Sequence, residues 1–385
     1  MFCIQDLRGR GAEKVLATIL TKLDRGEYQA AVFVYHDEIV MKIPDHVDIL
    51  SAHIPNYPFD AGAWEKVKNN IRKVFALFRT LGKFRPDVAI SISGTNITLM
   101  LAKYIHDKQL KVILSEHTMA TAFNKETKNA FIRYVTGKLI SRLYPLADRI
   151  ITPSKAVSDD LVSGYKIPDA KISVIPNPLD IEYVLRSARE MPGYEFPDDT
   201  SFRIGFIGGL SREKNIPCLI RTVGILKEDG RNIRLFLVGE GDERGRLESL
   251  TQELSVSGSV HFLGFRENPY AILRQFDVLV VSSFFETFSY VMLEAMACGV
   301  PVVSTKWKGC EDIYKNMENC LLVPENDPES LARAIENIMK HPDVRENLVR
   351  NGRELAGRFD VRNIVKDYES AIQSVLTGRG LGKIP

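Results

Sequence analysis

The alternation of short apolar runs with amphipathic stretches constrains this chain more than any other feature. In the first half the runs are FCIQDL, AAVFVY, DILSA, DVAISIS, KVILS, RIITP and KISVI. In the second half they are RIGFIG, RLFLVG, VHFLG, DVLVVSS, VPVVST and CLLVP. Each is nearly continuous in apolar character, as a strand must be when both faces of its sheet are covered, and helix-like segments lie between them. That alternation predicts an α/β chain of parallel sheets wrapped by helices. At 385 residues the chain exceeds what one small core serves, so two doubly wound, Rossmann-like domains are expected. The expected division is a first domain over 1–185, a linker over 186–202 and a second domain over 203–360. A helix over 361–377 is expected to pack across the domain interface, followed by a flexible tail over 378–385. The linker falls within the polar, proline-bearing stretch YVLRSAREMPGYEFPDDTS, Tyr183 to Ser201. Asp327 is the expected N-cap of the helix in DPESLARAIENIMK. Ligands of doubly wound sheets bind beyond the carboxyl ends of the strands, so substrate is expected in the cleft between the two domains.

Composition narrows the class. The N-terminal MFCIQDLRGRG lacks the long apolar run of a secretory signal, and no segment approaches the roughly 18 apolar residues that span a bilayer. Five cysteines, Cys3, Cys218, Cys298, Cys310 and Cys320, show no CxxC spacing and read as reduced thiols of a cytoplasmic protein. The net charge of +2 conceals an asymmetry, because residues 60–150 carry 16 basic against 7 acidic side chains. Nucleic acid would suit a basic surface, but the motifs that read it are missing, and no nucleic-acid partner is expected. A basic, aromatic-bearing face instead suits peripheral contact with an anionic membrane; a merely solvated face is the other reading. Lys125, Lys128, Arg133, Lys138 and Arg142 are the candidate residues.

The chemistry concentrates in FFETFSYVMLEAMACGVPVV, Phe284 to Val303. About one Glu-x7-Glu pair is expected by chance in such a chain, so the spacing alone carries little. Its context carries more. A buried strand runs into Glu286, a helix start lies between Glu286 and Glu294, and Gly299 with Pro301 supplies the stop. Ser289 or Thr287 is the expected cap, and N–H groups near Phe288 and Ser289 would face a negative ligand. Glu286 could accept sugar hydroxyls, and Glu294 both hydroxyls of a ribose. In RIGFIGGLSREKN a strand runs into Gly208 and Gly209, where backbone can approach a phosphate that Arg212 or Lys214 would neutralise. The pattern is neither the GxGxxG fingerprint nor a Walker A loop. Gly9, Arg10 and Gly11 form a second glycine loop after a strand, and His117 stands at the end of KVILS. No Asp-x-Asp pair offers itself to a metal-bridged diphosphate, so metal-independent chemistry without a cofactor is expected.

These segments together resemble the family 4 glycosyltransferases, retaining enzymes of GT-B architecture. The resemblance runs through GRGAEKVL, ADRIITPSKAVSDDL, KISVIPNPLD, GFIGGLSREKN, LVGEGDE, HFLGF and FETFSYVMLEAMACGVPVV, in the family's order over nearly the whole chain. It implies that Glu286 holds donor-sugar hydroxyls, Glu294 the ribose, and Lys214 the diphosphate. It places main-chain amides at Thr287, Phe288 and Ser289 against the sugar and diphosphate, His117 against the donor sugar, and Phe265 or Arg266 beside the base. Ser283 matches a serine common just before the first glutamate. Two departures stand out. Gly209 occupies a position where members usually carry a phosphate-binding arginine, for which Arg212 could substitute, and Arg10 replaces a glycine of the acceptor-side loop. The implied reaction moves a hexose or N-acetylhexosamine from a UDP-sugar, or a GDP-sugar, to a hydroxyl of a glycan, polyprenyl-linked or glycolipid acceptor. A nucleotide-sugar 2-epimerase of the same architecture and a silent nucleotide-sugar binder are the alternatives.

Overall fold

A computed structural model describes residues 1–9, 11–55, 63–127, 129–197 and 199–378. The expected tail over 378–385 lies outside these residues except for Gly378, and Arg10 and Lys128 lie outside them too. The chain divides into two compact units, one of residues 1–178 with 361–385 and the other of residues 179–360.

The first unit runs β1 (Phe2–Ile4), α1 (Gly11–Lys22), β2 (Ala31–Val34), β3 (Asp48–Ser51), α2 (Ala63–Phe84), β4 (Val88–Ile92), α3 (Asn96–His106) and β5 (Lys111–Ser115). It continues through α4 (Ala120–Glu126), α5 (Ala130–Leu143), β6 (Arg149–Thr152), α6 (Lys155–Tyr165) and β7 (Ile172–Val174). Its seven strands are all parallel, in the order β3-β2-β1-β4-β5-β6-β7. The chain therefore steps one way from β1 to β3 and the other way from β4 to β7. Because such crossovers are right-handed, α2, α3, α5 and α6 share one face of the sheet and α1 lies on the other.

The second unit contains α7 (Ile181–Ser187), β8 (Phe202–Ile207), α8 (Ile216–Glu228), β9 (Ile233–Val238), α9 (Arg244–Glu253), β10 (Val260–Gly264) and α10 (Tyr270–Leu273). After these come β11 (Val278–Val281), α11 (Tyr290–Cys298), β12 (Val302–Thr305), β13 (Leu321–Val323), α12 (Pro328–Lys340) and α13 (Pro342–Arg358). The six parallel strands order as β10-β9-β8-β11-β12-β13. Successive residues of one strand supply opposite cores. Leu235 and Leu237 join one cluster while Phe236 and Val238 join the other, and Val278 and Val280 alternate with Leu279 and Val281 in the same way. This double burial is why the runs read as continuously apolar. The last helix, α14 (Val361–Thr377), belongs to the first unit, where it packs on α1, β4 and β5.

The division falls before Leu179, not at 185. Asp180 caps α7 by accepting the N–H of Tyr183 at 2.9 Å, and Val184 and Ala188 are buried in the second unit's core. The rest of the expected linker is fastened to that unit as well, because Phe196 packs edge-on against Phe236 with centroids 4.9 Å apart. Asp327 caps α12 through the N–H of Ser330 at 2.9 Å, as its sequence predicts.

Candidate functional site

In the second unit the strand order reverses between β8 and β11, and a doubly wound sheet opens a crevice at such a point. The loop after β8 carries Gly208 to Lys214, and the loop after β11 carries Ser282 to Ser289. Sequence distance has thus been converted into proximity. Lys214 Nζ donates to Glu286 Oε1 at 2.7 Å, and Ser283 Oγ donates to the same oxygen at 2.8 Å. Both members of the ion pair are mostly buried, at 25% and 13% side-chain exposure. The two loops are also sewn together by backbone: Phe284 N–H donates to the Glu213 carbonyl at 2.9 Å, and Ser282 Oγ to the Lys214 carbonyl at 2.8 Å. From β12, Thr305 Oγ1 donates to the Ser283 carbonyl at 2.6 Å.

Helix α11 begins at Tyr290. Ser289 occupies the N-cap position with φ +47°, yet its hydroxyl accepts nothing from the helix, and neither Ser289 nor Thr287 serves as the expected cap. The Ser289 Oγ is buried without a hydrogen-bond partner. Tyr314 OH donates to the carbonyls of Phe288 and Ser289 at 3.3 and 3.2 Å, so the carbonyls of this turn are engaged from behind. The first N–H groups of α11 have no capping side chain and the helix dipole adds positive potential there, a combination suited to phosphate. Gly299, at φ +75°, ends the helix where a Cβ would stand 2.2 Å from the Arg353 guanidinium.

Glu294, one turn into α11, is buried, and Tyr270 OH donates to its Oε1 at 3.1 Å. Arg212 is exposed, and its carbonyl accepts the Asn215 N–H at 3.2 Å. At Gly209 a Cβ would find its nearest neighbour 3.9 Å away, so the backbone there has room for a side chain. The neighbouring LVGEGDE loop has none, since a Cβ on Gly239 would stand 1.9 Å from the Gly208 carbonyl oxygen and one on Gly241 2.4 Å from that of Leu210. Phe265 is 76% exposed, while Arg266 donates to the Gly193 carbonyl at 3.3 Å.

In the first unit His117 follows β5 and is buried. Its Nε2 lies 2.8 Å from Ser115 Oγ, and its backbone N–H donates to Ser93 Oγ at 3.2 Å. Burial pushes its pKa down to about 4, so the ring is neutral at pH 7. Beside it Glu116 is enclosed and accepts from Asn96 Nδ2 and Tyr144 OH, each at 2.9 Å, and from Thr118 Oγ1 at 2.7 Å. Burial raises the Glu116 pKa, and these donors work against that rise. Gly9 adopts φ +98° and donates its N–H to Glu13 Oε2 at 2.7 Å, while Gly11 is already the first residue of α1. A carboxylate of the chain itself thus answers this helix start.

Lys214, Ser283, Glu286 and Glu294 are legible in the sequence, whereas Tyr270, Thr305 and Tyr314, which hold them or their loop in place, are not. The partners lie 22–26 residues away and share no local pattern with the motif. Among the described residues no group of three His, Cys, Asp or Glu side chains is gathered for a metal.

Comparison with known proteins follows the same division. Residues 9–183 match the family model described as Glycosyltransferase Family 4, and residues 189–355 match that described as Glycosyl transferases group 1. One relative is the N-acetylgalactosamine-N,N'-diacetylbacillosaminyl-diphospho-undecaprenol 4-alpha-N-acetylgalactosaminyltransferase of Campylobacter jejuni. It is 28% identical over 94% of this chain and 96% of its own. A second galactosaminyltransferase of that organism, named for an undecaprenol-linked substrate, is 27% identical over 97% and 98%. Among solved structures, Anabaena HepE in complex with UDP and glucose superposes with a TM-score of 0.75 at 20% identity, covering 97% of this chain and 99% of that one. Sucrose-phosphate synthase from Thermosynechococcus elongatus gives a TM-score of 0.80 at 20% identity over 98% and 99%.

Proposed function

The chain belongs to the family 4 glycosyltransferases of GT-B architecture, and we propose that it moves an N-acetylhexosamine or hexose from a UDP-sugar to a hydroxyl of a lipid-linked glycan. The observation that carries this reading is the set Lys214, Ser283 and Glu286 gathered at the β8/β11 reversal, before the uncapped start of α11. The two Campylobacter relatives named for undecaprenol-linked substrates support the acceptor class, and HepE bound to UDP supports the nucleotide.

In the proposed reaction the bond between the anomeric carbon and the diphosphate oxygen breaks, and an acceptor oxygen bonds to the same face of that carbon. The acceptor proton passes to the departing phosphate oxygen, so configuration is retained and no protein base is consumed. Lys214 and the α11 N–H groups stabilise the charge that grows on the diphosphate. Glu286 fixes the sugar and Glu294, oriented by Tyr270, the ribose. His117, neutral at pH 7, would contribute a hydrogen bond and not a charge.

The test is a thermal-shift screen of UDP-, GDP- and ADP-sugars, followed by transfer assays with saccharide-diphospho-undecaprenol acceptors and NMR of the new linkage. Stabilisation by UDP-sugars and an α-linked product from an α-linked donor are the expected results. Donor consumption that is indifferent to every acceptor would sink the reading.

A further inference from the structure

Alternation along β5 and the residues just after it sends neighbouring side chains to opposite faces of the first sheet. Leu114 enters the core that holds Leu99 of α3 and Ile140 of α5, and Glu116, two residues on, meets Asn96 and Tyr144 on that face. The Glu116 N–H still donates to the Ile151 carbonyl at 2.9 Å, so the strand geometry persists beyond Ser115. Ser115 and His117 therefore point the other way, where Ser115 Oγ lies 2.8 Å from His117 Nε2.

Glu116 is 4% exposed, and each of its oxygens accepts one N–H and one O–H. Oε2 takes Asn96 Nδ2 and Tyr144 OH, both at 2.9 Å. Oε1 takes the Thr118 N–H at 3.2 Å and Thr118 Oγ1 at 2.7 Å. Ser91 Oγ donates to Asn96 Oδ1, which turns the amide nitrogen toward Glu116. All four donors are neutral. Enclosing a carboxyl group in this way is costly, and an apolar side chain would fill the same space without that cost. What the network supplies is one fixed geometry.

That geometry is centred on His117. The two bonds from Thr118 close rings through the backbone of residues 116–118, so His117 sits between the residues that Glu116 ties together. Its backbone N–H is tied in turn to Ser93 Oγ, just after β4. Beyond it the chain is gripped again. Helix α4 opens at Met119 without a side-chain cap, and Asp160 of α6 accepts the Thr121 N–H at 3.0 Å together with the Thr121 hydroxyl.

We propose that Glu116 is a positioning residue for sugar transfer: it closes the 116–118 turn and thereby fixes the orientation in which the His117 ring meets the donor sugar. The proposal rests on the reading that His117 gives that sugar a hydrogen bond, and adds what holds the ring. Both Glu116 oxygens are engaged by the chain, so the residue acts through its neighbour and not on substrate.

A double-mutant cycle on the full chain tests it, with a mixture of UDP-N-acetylhexosamines and UDP-hexoses as donors and a saccharide-diphospho-undecaprenol as acceptor. Glu116→Ala should lower kcat by about 10–10²-fold, the scale of a misplaced contact. Thr118→Val, which removes one hydroxyl and nearly keeps the shape, should lower it about threefold or more and serves if Glu116→Ala does not fold. In a His117→Ala background neither change should alter the residual rate by more than about twofold, because residues that act as one unit are not additive. UDP-induced thermal shifts should be unchanged throughout. As a check independent of turnover, 15N-histidine NMR should show one neutral tautomer of His117 in the parent and an averaged one in both variants. Losses that persist in full without His117, variants that transfer like the parent, or ring signals that do not move would each overturn the proposal. Failure of the transferase reading would look different: the parent would move no sugar, while the His117 ring signals would still respond to both variants.

Discussion

Lys214 commits its ammonium to Glu286 2.7 Å away, so in the proposed role a diphosphate would share that charge with a carboxylate. Replacing Lys214 by alanine removes the shared donor and leaves Glu286 mostly buried with Ser283 as its remaining partner. Steady-state transfer assays of Lys214→Ala should show kcat lower by about 10²-fold or more, the scale of one lost donor to a developing anion; wild-type turnover would remove Lys214 from the mechanism. Gly209 offers the opposite experiment. Its Cβ position is open and Arg212, three residues on, is exposed. Gly209→Arg should therefore tighten UDP binding several-fold, about 1 kcal/mol for an added charge-assisted contact, as read by calorimetry. His117 is depressed to about pH 4 in the folded chain against an ordinary 6.5. The unfolded chain binds the extra proton between those values, so stability is present above pH 6.5 and lost as pH falls toward 4. Urea unfolding of His117→Gln should show a shallower acid loss than the parent, by up to about 3 kcal/mol. At this scale the sequence reveals the residues proposed to bear the chemistry and conceals those that hold them. Glu286 and Lys214 stand in motifs, whereas Tyr270 and Tyr314 become partners only once strands 20 or more residues apart are laid side by side.

The elements were legible wherever burial was complete. Each of the thirteen strands of the described residues coincides with an apolar run, β8 and β9 starting one residue before theirs, because parallel strands covered on both faces admit little polar alternation. Helix α7 was not, since seven residues with Val184 buried give too little periodicity to separate from a polar linker. The cap of α11 differs from expectation for another reason: Ser289 has the right chemistry, but its backbone is left-handed at φ +47° and its hydroxyl makes no bond to the helix N–H groups. Between elements, close backbone approach is enforced by absent side chains. Gly239→Ala would place a methyl 1.9 Å from the Gly208 carbonyl oxygen, at φ +139°. Strain and overpacking together should cost about 2–5 kcal/mol, measured as a lowered urea midpoint. A loss below about 0.5 kcal/mol would mean that the two loops do not pack as described.

The units differ in how the chain builds them. The second is one continuous segment whose two ends meet, Leu179 N–H donating to the Phe359 carbonyl at 2.7 Å. The first is completed only by α14, which buries Ile364, Val365, Tyr368, Ile372 and Val375. A fragment of residues 179–360 should therefore fold alone and show a UDP-dependent thermal shift. Residues 1–360 should aggregate or lose cooperative melting of the first unit, observable by calorimetry, because the face covered by α14 is left bare. A soluble 1–360 chain with both transitions intact would contradict that role for α14. This interruption could not be read in the sequence, where residues 361–377 announce an amphipathic helix but not the sheet that receives it.

The same discontinuity sets a clock on biosynthesis. Every residue of the second unit leaves the ribosome between the two parts of the first, so for about 10–40 s, at 5–20 residues per second, a seven-stranded sheet waits with one face unsealed. In that interval the nascent chain needs a guardian, and slowing translation late in the message should lengthen its dependence on one.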